Sequence, residues 1–226
     1  MKKHIPNILT ILNLLCGCIG IVSVFENWAI PAAYFVWLAG FFDFFDGFAA
    51  RLLKVSSPIG KELDSLADMV SFGVLPTVVM YKLIGNSTSV EWLPFIALAI
   101  AAFSALRLAI FNVDETQSDS FKGLPTPANA LFITGFAMID PSVIPWAFET
   151  PLLISITVVF SLLLVAPVRL FALKFKNFGW QENKIRFTFL LVAVLLIAIL
   201  KIVAIPLIIL LYIVLSLGVQ SVSKKA

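Results

Sequence analysis

Long apolar runs separated by short polar breaks set the plan of this chain. A membrane-crossing helix needs about 20 mostly apolar residues. Eight runs approach that length: about 8–25, 29–53, 62–84, 92–113, 126–147, 151–172, 186–203 and 205–221. The pattern predicts an all-α fold, a polytopic membrane helix bundle. The fifth run is interrupted by Asp140 and Pro141 and is expected to be shorter than written. The last two are parted only by a short break containing Pro206, which fits either a tight hairpin or one broken helix. The longest polar stretches, 114–127 and 173–185, are too short for a soluble domain, so residues 1–226 are expected to form a single integral membrane domain.

Composition agrees with the pattern. The chain is 61% hydrophobic and 13% charged, whereas a soluble domain is nearer half apolar and a quarter charged. Placing the N-terminus in the cytoplasm and alternating spans leaves only Lys82 and Lys201 outside; the other 14 of the 16 Lys and Arg residues fall inside. The positive-inside bias therefore predicts that both termini, and the linker after Arg51, are cytoplasmic. The first run follows a short basic stretch and lacks a small-x-small cleavage site, so it is expected to remain as the first membrane helix.

Inventory excludes several chemistries. The sole histidine is His4, and the two cysteines, Cys16 and Cys18, lie inside the first run. Histidine-based metal sites and Ser-His-Asp triads are ruled out, and the C-x-C pair has no partner cysteines for zinc. A net charge of +3, with no basic patch interleaved with aromatics, argues against a nucleic-acid partner.

Against this background the stretch DFFDGFAARLLKVSSPIGKELDSLAD, residues 43–68, stands out. Asp43 and Asp46 are three residues apart and Asp64 and Asp68 are four apart, spacings that put each pair on one helix face. Ser56, Ser57, Pro58 and Gly60 between them are turn residues, so helices two and three are expected to form a hairpin that brings the pairs together. Arg51 lies about 12 Å along the helix from Asp43, which puts Asp43 well inside the membrane profile. An aspartate at mid-helix costs about 2.5–3.5 kcal/mol on insertion scales. Four such groups belong in a polar functional site, not against lipid.

Four carboxylates cannot share a cavity unneutralised. Oxygen-only ligands point to a hard metal, Mg²⁺ or Mn²⁺, with Ca²⁺ a competitor, and four carboxylates on two facing helices can hold two ions. A metal pair suits phosphoryl transfer. Gly47 and Ala50 leave room beside the helix, Arg51 could pair with a phosphate, and Gly60 would allow close approach to the backbone. Gly47 and Ala50 also fit plain helix packing. An aspartate-lined cation transporter is the competing class, but the outer halves of these helices, such as AIPAAYFVWLAGFF, carry no charge, which favours an enzyme on the cytoplasmic leaflet.

The arrangement Asp43-x2-Asp46-Gly47-x2-Ala50-Arg51-x8-Gly60-x3-Asp64-x3-Asp68 resembles, at all eight fixed positions, the signature of the CDP-alcohol phosphotransferase family. The resemblance implies a six-helix core, here about residues 1–172, with two further helices at about 186–221. It implies attack of a hydroxyl on a CDP-linked lipid or alcohol with loss of CMP. It makes Asp43, Asp46, Asp64 and Asp68 metal ligands, Asp68 also the general base, and Gly47, Ala50, Arg51, Ser57 and Gly60 the lining of the cytidine diphosphate site. IPNILTILNLLCGC (5–18), LDSLADMVSFGVLP (63–76) and FKGLPTPANA (121–130) are similar to the membrane-integral phosphatidylserine synthases of the family, as is ALRLAIFNV (105–113), where Ile110 replaces an arginine common in that branch. That branch implies CDP-diacylglycerol as donor and L-serine as acceptor; homodimers occur in the family.

The acceptor is less legible from the residues. A serine pocket needs a cation and hydrogen-bond acceptors, for which Arg107, Asn112 and Lys122 are candidates; positive-inside charge explains the cations equally well. Asn7 and Thr10 are candidates to reach the phosphates from helix one, or to cap it. Glycerol 3-phosphate or an inositol phosphate stays open as acceptor, although an anion would call for more basic residues than these.

Overall fold

The computed structural model describes residues 4–28, 30–55, 57–114, 120–171 and 179–223. Lys2, Lys3, Lys174, Lys176, Lys224 and Lys225, which contribute to the charge bias, and Ser56 of the expected turn lie outside the described residues.

The described residues form a helix bundle with helices α1 (Ile5–Phe25), α2 (Ala32–Leu53), α3 (Pro58–Asp68), α4 (Leu75–Ser87), α5 (Leu98–Val113), α6 (Thr126–Phe136), α7 (Thr150–Val165), α8 (Trp180–Leu200) and α9 (Ala204–Ser223). Among the described residues, five helical stretches are long and apolar enough to cross a membrane: Ile5–Phe25, Ala32–Leu53, Pro58–Ser87, Leu93–Val113 and Asn183–Leu200. The protein is an integral membrane protein. Two expected spans are shorter than the sequence suggests. The fifth, 126–147, is helical only to Phe136; the chain then turns where Asp140 Oδ1 accepts from the Ser142 amide at 2.8 Å, and a 3₁₀ turn covers Pro145–Phe148. The sixth, 151–172, stops at Val165, because residues 169–171 form strand β2 (Arg169–Phe171), paired antiparallel with β1 (Ser120–Lys122) in the register Phe121 opposite Leu170. Gly123, at φ +80°, lets the chain leave this ribbon against Leu164. The expected break falls at a tight connection, Lys201–Val203, with Pro206 already in the first turn of α9, which packs back on α8.

The third span is the axis of the bundle. α3 and α4 are one continuous helix joined by a π-helical segment, Met69–Val74, and half of its most apolar stretch is buried, against a third or less for the other four spans. Phe72, Leu75, Met80 and Ile84 on it are core residues, joined by Ile100, Ile133 and Leu153 from α5, α6 and α7.

α1 shows how a membrane helix inverts the soluble pattern. Ile8, Ile11, Leu15, Ile19 and Val22 are exposed, whereas Pro6, Thr10, Asn13, Gly17 and Gly20 are buried against neighbouring helices. The close approach has a measure. A Cβ on Gly17 would stand 2.5 Å from Ser71 Oγ and 2.8 Å from Ser71 Cα. Cys16 packs in the core and Cys18 faces outward.

Candidate active site

The site is assembled at the hairpin between α2 and α3. α2 ends at Leu53, with Lys54 in the left-handed conformation and the Val55 amide bonded back to the Ala50 carbonyl at 3.0 Å. α3 begins at Pro58: Ser57 is its N-cap, its hydroxyl accepting from the Gly60 amide at 3.0 Å, and Pro58 occupies the first turn, where no amide hydrogen is needed. The short turn sets the two helices side by side. Carboxylate oxygens of Asp43, Asp64 and Asp68 consequently lie within 4.8 Å of one another.

α1 supplies the support for these groups. Thr10 Oγ1 donates to Asp46 Oδ2 at 2.6 Å, and Asp46 is only 6% exposed. Asp46 thus stands beside the trio, held from α1, and close enough to interact electrostatically with Asp43 and Asp64. Asn13, which is not among the site residues expected from the sequence, donates from Nδ2 to Asp68 Oδ1 at 3.2 Å. The Asn13 carbonyl in turn accepts from Ser71 Oγ at 2.9 Å, so α1 is pinned to the π segment that starts one residue after Asp68. π turns inside α-helices recur at functional sites. A sequence signal for Asn13 exists: Asn7, Thr10 and Asn13 recur every three residues and share one face of α1.

A cavity of about 460 Å³ opens next to the acidic cluster. α1 lines it with Asn7 and Thr10, α2 with Asp46, Gly47 and Ala50, and the hairpin and α3 with Ser57, Gly60, Lys61 and Asp64. All of these except Lys61 are expected from the sequence, whereas His4, Pro6, Val55 and Ile59 on the same wall are not. Gly47 is not a packing residue: a Cβ there would meet no neighbouring side chain nearer than Arg51 Nη1, at 4.0 Å. Gly60 is crowded instead, with Ser57 Oγ 3.0 Å and Asn7 Oδ1 3.2 Å from where its Cβ would stand. Arg51 is exposed and does not line the cavity.

The candidates for an acceptor pocket separate. Arg107 is buried on α5, donates from Nη1 to Thr126 Oγ1 at 3.1 Å, and is close enough for its charge to act on Asp68. Asn112 faces the flank of α3, with Nδ2 donating to Ser65 Oγ at 2.8 Å and its carbonyl accepting from Lys61 Nζ at 2.8 Å. Lys122 pairs with Asp114 at 3.0 Å and lines, with Arg107 and Ile110, a second cavity of about 140 Å³.

The donor set fits a hard divalent cation. It consists of carboxylate oxygens alone, three of them converge, and Asp64 Oδ1 is buried with no hydrogen-bond partner among the described residues. A buried orphan oxygen next to two further carboxylates calls for a cation to complete it.

Comparison with known proteins gives a consistent picture. The family model described as CDP-alcohol phosphatidyltransferase matches residues 3–163. The chain is similar to a CDP-diacylglycerol–serine O-phosphatidyltransferase of Bacillus subtilis (strain 168), 40% identical over 55% of this chain and 70% of the relative. Proteins of the same name from Mycobacterium leprae (36% identical, 58% of this chain, 45% of the relative) and Saccharomyces cerevisiae (37% identical, 59% of this chain, 53% of the relative) are also similar. The matched region spans about half the length of these last two relatives.

Proposed function

Because the chain belongs to the CDP-alcohol phosphatidyltransferase family, we infer that it moves the phosphatidyl group of CDP-diacylglycerol to the hydroxyl of L-serine, giving phosphatidylserine and CMP. The observation that carries this reading is the convergence of the Asp43, Asp64 and Asp68 oxygens within 4.8 Å beside a cavity large enough for a nucleotide headgroup. The names of the relatives support serine as the acceptor.

The residues divide the work. The cytidine diphosphate part of the donor occupies the cavity, where Gly47 and Ala50 leave space, Gly60 lets Ser57 and Asn7 come close to the backbone with their polar groups, and Arg51 stands outside the lining beside Gly47. Asp43, Asp46, Asp64 and Asp68 would hold two divalent ions, Mg²⁺ or Mn²⁺, which supply positive charge against the diphosphate and its leaving group. The serine hydroxyl attacks the phosphorus that carries diacylglycerol. The bond from that phosphorus to the bridging oxygen breaks, the electron pair leaves with CMP, and the hydroxyl proton passes to Asp68. Thr10 and Asn13 keep Asp46 and Asp68 from rotating away, so that the carboxylates meet substrate already oriented.

The reading includes the setting. One membrane domain spans residues 1–226, with its catalytic core within about 1–172, and the cavity and both termini face the cytoplasm; the distribution of Lys and Arg supports that orientation. The deciding experiment is CMP release by the purified protein in detergent micelles. Release should need CDP-diacylglycerol, L-serine and a divalent ion together, and Asp68→Asn should stop turnover while leaving the thermal unfolding profile unchanged. CMP release with glycerol 3-phosphate but not with L-serine would replace the acceptor. Ion flux in proteoliposomes without any CMP release would remove the enzyme reading altogether.

A further inference from the structure

Two polar side chains flank Asp68 and each has an atom left over. Asn13 is fully buried; its Nδ2 donates to Asp68, while its Oδ1 has no partner among the described residues. The amide cannot simply be turned round, because that would set its oxygen against the Asp68 carboxylate. Arg107 is 8% exposed; Nη1 is taken by Thr126, the ring of Phe111 lies 5.8 Å from its guanidinium carbon, and Nε has no partner among the described residues. Buried groups left this way are expensive, and a ligand that completes them is favoured over one that does not. The two atoms are opposite in kind: one is a neutral acceptor, the other a donor on a cation.

We propose that Asn13 and Arg107 read the two charged ends of a zwitterionic amino-alcohol acceptor, the amide oxygen taking an N–H of its ammonium group and the guanidinium its carboxylate. This rests on the reading that L-serine is the acceptor and adds how the acceptor is chosen. The hydroxyl is then left for Asp68, which accepts from Asn13 and is near enough to Arg107 to feel its charge. An anionic polyol phosphate has no ammonium to offer the amide oxygen, so the same pair favours the zwitterion over it. Asn112 and Lys122 take no part, since both are engaged elsewhere.

The test crosses residues with acceptor groups. KM values for L-serine and CDP-diacylglycerol are measured for the wild-type protein, Asn13→Ala and Arg107→Met, together with inhibition constants for ethanolamine, which lacks the carboxylate, and 3-hydroxypropionate, which lacks the ammonium. Each variant should raise the KM for L-serine about 10- to 100-fold, and Arg107→Met should leave that for CDP-diacylglycerol within about twofold. Asn13→Ala should weaken ethanolamine but not 3-hydroxypropionate, and Arg107→Met should do the reverse. If Arg107→Met does not fold, Arg107→Lys keeps the charge without the planar fork and serves the same arm. Uncrossed losses, with both analogues weakened alike by both variants, would overturn the pairing while leaving phosphatidylserine synthesis by the wild-type protein intact. Failure of the wild-type protein to use L-serine at all would overturn both readings.

Discussion

Gly47→Ala separates a binding role from a packing role, because the two predict opposite signs. Gly47 sits inside α2, where glycine is about 1 kcal/mol less favourable than alanine. The added methyl would meet only the end of Arg51, at 4.0 Å, so nothing in the protein resists it. Stability should therefore rise by about 1 kcal/mol, which for a chain of this size is about 2–4 °C in Tm. The methyl instead projects into the cavity beside Asp46 and Ala50, where the donor headgroup is placed. Overpacking a fitted site by one methyl costs about 1–3 kcal/mol, equivalent to a rise in KM for CDP-diacylglycerol of about 5- to 150-fold. Thermal unfolding in detergent and initial rates of CMP release, with donor varied at saturating L-serine, read both quantities from one preparation. A fall in Tm with unchanged kinetics would refute the reasoning and return Gly47 to a packing role.

Other outcomes follow from single contacts. Thr10→Val keeps the side-chain shape but removes the donor to the buried Asp46 carboxylate; kcat/KM should fall about 10- to 100-fold, and Thr10→Ser should recover most of it. Gly17→Ala would put a methyl 2.8 Å from the Ser71 backbone, so α1 must shift off the π segment, costing about 1–3 kcal/mol in stability along with activity as the Asn13–Asp68 bond is lost. Chelation with EDTA should abolish CMP release, with Mg²⁺ or Mn²⁺ restoring it, and the same ions should raise Tm only while Asp64 is intact. Gly123→Ala faces both a positive φ and a clash of its Cβ with the Leu164 carbonyl oxygen; it should lower Tm by at least about 2–4 °C without altering the metal requirement.

The acidic site is legible in the sequence because its rules are local. Spacings of three and four fix which aspartates share a helix face, and the Ser57-Pro58 pair fixes where the second helix starts. Asn13 is harder to see, since an asparagine inside an apolar run has no partner in its own segment; its meaning comes from Asp68, far along the chain. The π segment is likewise hidden, because the small residues Ser71 and Gly73 acquire their role only when Gly17 of α1 and Ser104 of α5 press against them. α6 is shortened where Asp140 and Pro141 warned of it, but the three-residue strands of the ribbon are too brief for any alternation to show. Arg107, Asn112 and Lys122 could be grouped by charge and by side of the membrane alone. Only tertiary packing separates the buried one near Asp68 from the two that tie surface elements together.

The location of Asn13, Asp43, Asp46, Asp64 and Asp68 within consecutive, mutually packed helices has a consequence for biosynthesis. All five precede Met69, whereas Arg107 comes later in the chain. At about 5–20 residues per second, a ribosome that has just added Asp68 needs roughly 8–32 s more to reach Ala226. Contacts between near neighbours in sequence close early and at low entropic cost. The hairpin and its α1 support can therefore dock before α5 to α9 pack against them. A chain truncated after Ser87 and released from the ribosome into a membrane should already protect the Asp43–Asp68 hairpin from protease, with the acceptor side added afterwards to a platform that exists before it.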